Sequence, residues 1–187
     1  MNVLFIHQNF PAQYLHICQQ LLRQECHTIV SIGMGKSPFK NSQNYAHIQY
    51  SAERSSTRVI HPWVTDIETK SIRAEACGKV CQKLKSQGFV PDIICGHPGW
   101  GELLGIPYVW PQSPILMYQE FYYNEQGFDS DFDPEFENQQ SDWSKKTETH
   151  LKNANSLLNL QHATWNVTPT NFQRSSFPIQ FHQRFST

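Results

Sequence analysis

Charge of one sign is what this sequence most plainly lacks. Its 15 Lys and Arg residues against 16 Asp and Glu leave a net charge of -1. No electrostatic field therefore draws in nucleic acid or an anionic membrane, and neither is expected as a partner. Long apolar runs are missing too: nothing approaches the ~20 residues that span a bilayer. The start, Met1-Asn2-Val3-Leu4-Phe5-Ile6, has no basic segment and turns polar at His7, so it reads as a strand and not as a signal peptide. The five cysteines, Cys18, Cys26, Cys77, Cys81 and Cys95, are odd in number and form no CxxC pair. Reduced thiols in a cytoplasmic protein are the simplest reading. The histidines do not fall at metal-ligand spacing, and neither GxGxxG nor a Walker pattern occurs, so no metal and no cofactor is expected. At 187 residues the chain suits one well-buried domain.

What is present is organised around Pro91-Asp92-Ile93-Ile94-Cys95-Gly96-His97-Pro98-Gly99-Trp100-Gly101-Glu102. Val90, Ile93, Ile94 and Cys95 read as a strand buried on both faces. The run stops at Gly96, the first of three glycines within six residues. These let a backbone approach closely, while His97, Trp100 and Glu102 supply three kinds of chemistry. In an open parallel sheet, ligands bind outside the carboxyl ends of the strands. This turn is therefore a candidate binding site. The plainer alternative is a structural turn, with Trp100 as a core plug, His97 hydrogen-bonded nearby and Glu102 as a helix cap.

Taken in order, Val3–Ile6 predicts a first strand, and Asn9 and Pro11 suit the start of a helix over 12–24. Leu15, Cys18, Leu21 and Leu22 share one face of it. Thr28–Ile32 predicts a second strand, followed by a polar excursion over 36–62 with a short strand at His47–Tyr50. Thr65-Asp66-Ile67-Glu68 has the letters of a capping box. It opens a helix in which Ile72, Ala76, Val80 and Leu84 recur four apart beside Cys77 and Cys81, and which ends at Gly88. After the organising turn, Pro107 and Pro111 keep any helix short. Ile115–Tyr118 predicts another buried strand, leading into Gln119-Glu120-Phe121-Tyr122-Tyr123. A long helix is expected over 142–162, with Trp143, Thr147, Leu151, Ala154, Leu157 and Leu158 facing inward. Trp165–Val167 is a last strand, and Thr170 caps a final helical turn before a Phe- and Gln-rich tail.

Between these elements lies an acidic loop over 125–142. Asp129, Asp131 and Asp133 have the spacing of a calcium loop, but Pro134 replaces its glycine and Gln140 its bidentate glutamate, which excludes that reading. Strands alternating with helices imply an α/β fold: a Rossmann-like parallel sheet with helices on both faces. Right-handed crossovers then bring His7–Phe10, His97–Glu102, Gln119–Tyr122 and Thr168–Thr170 to one edge.

The residues at that edge resemble a branch of glycosyltransferase family 4. The likeness is carried by Phe5-Ile6-His7-Gln8-Asn9-Phe10-Pro11, His61-Pro62, Pro91-Asp92, Gly96-His97-Pro98-Gly99-Trp100-Gly101-Glu102, Phe132-Asp133-Pro134-Glu135 and Thr170…Gln173-Arg174…Phe177-Pro178. It implies the two-domain GT-B fold, in which an amino-terminal half shapes the acceptor site and a carboxyl-terminal half binds the nucleotide sugar. Transfer with retained anomeric configuration would take place between them. Residues 1–187 would be the amino-terminal half alone. The donor-side pair of glutamates with seven residues between them does not occur, and the loop after the first strand has no glycine for a diphosphate. Glu120 stands where many relatives carry a histidine.

On this resemblance His97 and Glu120 are the candidate catalytic residues. His7, Asn9, Phe10, Gly99, Trp100, Gly101, Glu102, Tyr122 and Thr170 are candidates for acceptor or sugar binding. The implied function is the acceptor-side domain of a retaining, nucleotide-sugar-dependent transferase of the hexosyl type, inactive alone. Its implied partners are a nucleotide-sugar donor held by the second domain and a sugar or lipid-linked acceptor. Exposure of Phe10, Trp100, Phe121 and the Phe177–Phe185 tail would favour homo-oligomers through the cleft edge. The competing readings are a stand-alone glycan- or protein-binding module and a Rossmann-like enzyme acting on a nucleotide or phosphosugar.

Overall fold

A computed structural model describes residues 1–125, 128 and 142–187 of the chain. Seven parallel strands form one sheet in the order β3-β2-β1-β4-β5-β6-β7. These are β1 (Asn2–Ile6), β2 (Thr28–Gly33), β3 (Tyr45–Gln49), β4 (Ile93–Gly96), β5 (Ile115–Tyr118), β6 (Trp165–Val167) and β7 (Phe185–Ser186). Every pairing is parallel, so the sheet must be covered on both faces.

Alternation of side chains sorts each strand between the two covers. Leu4, Ile6, Val30, Ile32, Ile94 and Met117 face helix α2 (Thr65–Ser86), which contributes Cys77, Cys81 and Leu84. Val3, Phe5, Ile29 and Cys95 face the other way, against Tyr14 and Cys18 of the segment holding helix α1 (Leu15–Arg23). The Rossmann-like α/β class expected from the sequence is therefore the observed one. Helix α2 ends in a Schellman motif, with Gly88 at φ 91° and the Phe89 N–H donating to the Leu84 carbonyl at 3.3 Å, and a short helix α3 (Ile106–Val109) follows β4.

Four sequence expectations need correction. The capping box does not form: Thr65 is already helical, and Glu68 accepts hydrogen bonds from Arg54 and from the Thr57 backbone and hydroxyl instead. Asn9 caps nothing and is exposed; a 3-10 turn over Ala12–Tyr14 leads into α1 with no side-chain cap. The long helix is two helices, α4 (Asp142–Lys152) and α5 (Ala154–His162), and its buried positions are Asn153, Asn155, Asn159 and Leu160. Trp143 and Leu158, expected inside, are exposed. Finally, the tail is part of the fold. Phe177 and Phe185 are buried against Leu160, and Phe185–Ser186 adds the seventh strand after helix α6 (Asn171–Ser176). The acidic residues Asp129, Asp131, Asp133, Glu135 and Glu137, and the Phe132-Asp133-Pro134-Glu135 motif, lie outside the described residues. Among those described, no helix is long and apolar enough to cross a membrane.

Candidate acceptor site

The strand order reverses direction between β1 and β4, which pair as Ile6 with Gly96. A crevice opens at such a switch point in an open α/β sheet. The next residues, His7 and His97, are both buried. Each turns its Nδ1 back to accept a backbone N–H two residues on, from Asn9 at 2.9 Å and from Gly99 at 3.1 Å. An accepting Nδ1 fixes the neutral ring with its proton on Nε2. Burial, then the neighbouring His97, hold the His7 imidazole down at about 4. Burial also lowers His97, against an upward pull from Glu120.

His97 Nε2 points toward Glu120, 3.2 Å from Oε2 but off the line of a good hydrogen bond. The Glu120 side chain is 56% exposed, whereas that of His97 is 6% exposed. The carboxylate, not the imidazole, is therefore the group offered to a ligand. Trp100 completes this wall at 38% exposure, its ring 6.3 Å from His97 and under the Arg73 guanidinium at 5.8 Å.

These groups line a cavity of about 630 Å³. Helix α2 brings Asp66, Lys70 and Arg73; the turn after β4 brings His97, Gly99 and Trp100; the segment after β5 brings Gln119, Glu120 and Phe121; α4 and α5 bring Lys152, Asn155 and Ser156. Its size is that of a small-molecule site. The turn is braced from below. Asn155 Nδ2 donates to the Pro98 carbonyl at 2.9 Å, and Asn159 Nδ2 donates to the Asn155 carbonyl at 2.8 Å. Among the described residues, a buried Ser156 hydroxyl and His97 Nε2 lack hydrogen-bond partners in the cavity wall.

The two glycines of the turn answer to different demands. A Cβ on Gly99 would come within 2.6 Å of His97 Cε1, so this glycine makes room for the imidazole. Gly101 sits at φ 103°, and a Cβ there would meet the Lys70 backbone, with Cα at 2.7 Å. It lets the turn lie against α2 and does not face the cavity.

A model of the glycosyl transferase family 4 group matches residues 25–187. The chain belongs to that family. No match is found among curated proteins. Solved structures similar to this family 4 chain include MurG of Acinetobacter baumannii, at 16% identity and TM-score 0.46, covering 95% of this chain and 42% of that one. A UDP-GlcNAc 2-epimerase from Neisseria meningitidis bound to UDP-GlcNAc is 14% identical at TM-score 0.44, over 99% of this chain and 45% of that one. A dTDP-glucose 4,6-dehydratase from Bacillus anthracis in complex with NAD is 11% identical at TM-score 0.42, over 90% and 54%. The chain thus spans about half the length of these structures.

Among the candidate residues, His97, Glu120, Gly99 and Trp100 meet in the cavity, with His7 directly behind His97 at a centroid distance of 5.3 Å. Others stand elsewhere. Phe10 is buried, stacked on His47 and packed beside Phe5. Glu102 is wholly buried and accepts a hydrogen bond from Tyr50. Burial raises its carboxyl, with the Tyr50 hydroxyl and Arg73 acting against that rise. It is neither a sugar contact nor a helix cap. Tyr122 packs on Phe177, and Thr170 is the N-cap of α6, accepting from Gln173 N at 3.2 Å. The sequence reading missed Arg73, Lys70, Asp66, Asn155 and Ser156. For Asp66, Lys70 and Arg73 the signal was a polar stripe at helical spacing, next to the apolar stripe of the same helix.

Proposed function

We propose that residues 1–187 form the acceptor-side half of a retaining, nucleotide-sugar-dependent glycosyltransferase of the hexosyl type, working with a second domain that holds the donor. The observation that carries this is the meeting of His97, Glu120 and Trp100 at the switch point of a family 4 domain. A Trp face beside a carboxylate, with amide and hydroxyl groups around it, suits a sugar-like polyol. Glu120 would accept a hydrogen bond from the acceptor hydroxyl and hold it toward the incoming anomeric carbon. Neutral His97, fixed by Gly99 N, would orient that carboxylate. The ring would lie against Trp100. The work of this half is positioning, while the leaving diphosphate is stabilised from the donor side.

The free thiols support a reducing, cytoplasmic location. With Phe10, Phe177 and Phe185 buried, the cleft-edge aromatics left for self-association are Trp100 and the Phe121–Phe128–Phe172 cluster, in which Phe172 is 58% exposed. Light scattering over a concentration series tests that pairing, and a strict monomer refutes it. The central reading is tested by titrating the chain with UDP-, GDP- and ADP-sugars and with neutral glycans. The expected result is no sugar transfer, weak or absent nucleotide-sugar binding, and glycan binding that perturbs the Trp100 indole. Micromolar affinity for any nucleotide sugar overturns the half-enzyme assignment.

A further inference from the structure

The charges of the cavity do not all cancel in place. Lys70 Nζ lies 2.7 Å from Asp66, and Lys152 Nζ lies 3.4 Å from Glu148. What remains is Arg73 and Glu120. Among the described residues Arg73 has no carboxylate at ion-pair distance; its one named contact is the Trp100 ring. The buried Glu102 acts on it through space, with one of its two carboxylate oxygens taken by Tyr50. Contacts run from Arg73 to Trp100 at 5.8 Å, Trp100 to His97 at 6.3 Å and His97 to Glu120 at 3.2 Å, which places two rings between the free cation and the free carboxylate.

We infer that the acceptor taken by this cavity carries an oxyanion, seated on Arg73, with its ring against Trp100 and a hydroxyl turned to Glu120. This rests on the acceptor-site reading above and narrows it. A guanidinium offers five donors in a rigid fork matched to phosphate or carboxylate. A closing second domain strips water from the cavity, and an unmatched cation there becomes costly. An anion on the ligand offsets that cost. With Asp66 and Glu148 already paired, Glu120 repels it from its own end of the cavity and so fixes which end of the acceptor enters first.

The test uses the full chain, with the Trp100 indole N–H resonance assigned through Trp100→Phe. Glucose, glucose 6-phosphate, glucuronate and inorganic phosphate are titrated at constant ionic strength. Vesicles of phosphatidylcholine with and without phosphatidylinositol form a second arm. The two anionic sugars are expected to move the resonance saturably and to bind roughly tenfold more tightly than glucose, the worth of one charge-assisted contact. Arg73→Gln should erase that difference, Arg73→Lys should keep part of it, and Lys36→Gln, on an exposed loop, should leave it intact. Sedimentation with phosphatidylinositol vesicles that Arg73→Gln abolishes assigns the oxyanion to a lipid headgroup; saturation by the soluble sugars alone assigns it to a free sugar. The inference is overturned if anions bind no better than glucose, or bind Arg73→Gln as they bind the parent. Glucose alone moving Trp100 leaves the acceptor reading standing; silence from every probe removes both. A melting curve for each variant separates unfolding from lost recognition.

Discussion

His7 and His97 pack edge to face at the ends of neighbouring strands, ring centroids 5.3 Å apart and planes at 71°. Both rings spend Nδ1 on a backbone N–H, so both are held neutral, and protonating either would place a cation against the other.

Acid should therefore destabilise the fold through these rings. His7 is depressed from 6.5 to about 4. In that window the unfolded chain binds more protons, so stability is complete above the unfolded value and falls as pH drops toward the folded one. The loss traceable to His7 is at most about 3.5 kcal/mol, from ~1.4 kcal/mol per unit. Glu102 and its raised carboxyl act in the opposite sense, stabilising at low pH and losing that stability as pH rises through the folded value. Chemical denaturation of the parent and His7→Gln across pH 4–7 isolates the imidazole. Parallel stability curves would rule this account out.

Gly99→Ala and Gly101→Ala should fail in different ways. Strain at φ 103° plus collision with the Lys70 backbone predicts that Gly101→Ala loses more than about 1 kcal/mol in denaturant unfolding. Gly99→Ala pushes on the His97 ring, which can turn away. It should leave stability nearly intact while moving the His97 imidazole signals in NMR. The reverse ranking would contradict the geometry.

Trp100→Ala and Trp110→Ala make an internal control. Trp110 is 3% exposed and donates Nε1–H to the Phe89 carbonyl at 3.2 Å. Its truncation should cost roughly 3–5 kcal/mol. Trp100, at 38% exposure on the cavity wall, should cost clearly less while abolishing ligand binding there. Equal losses in thermal unfolding would return the turn to a purely structural role.

Phe185→Ala tests the tail. Phe185 is 5% exposed and 4.9 Å from the Phe177 ring. A loss of about 3–5 kcal/mol is expected. A neutral result would mean that the seventh strand is dispensable.

These contrasts mark where the sequence could be read and where it could not. The strands at Val3–Ile6, Thr28–Ile32, Ile115–Tyr118 and Trp165–Val167 were legible because apolar or β-branched residues dominate each of them. Phe185–Ser186 was not, since two residues carry no period. The face of α5 was misread for a different reason. Apart from Leu160, its buried side chains and that of Asn153 just before it are asparagines that clamp backbone groups: Asn153 accepts from Tyr123 N at 3.0 Å and donates to its carbonyl at 2.7 Å. A hydrophobicity pattern cannot see such a face. At the site, residues on strand ends could be foreseen from topology alone. Arg73 and Ser156 come from helices, where only the packing of α2 and α5 around the turn reveals that they share a cavity.

The parallel seventh strand has a practical consequence for anyone handling this protein. Because every strand runs the same way, Met1 and Thr187 leave the sheet at opposite edges. Thr187 emerges on the ligand side, three strand spacings or roughly 14 Å across the sheet from β4. A purification handle or fluorophore fused after Thr187 would leave from the same edge of the sheet as the cavity. The same label placed ahead of Met1 would point away from it and leave every titration above unobstructed.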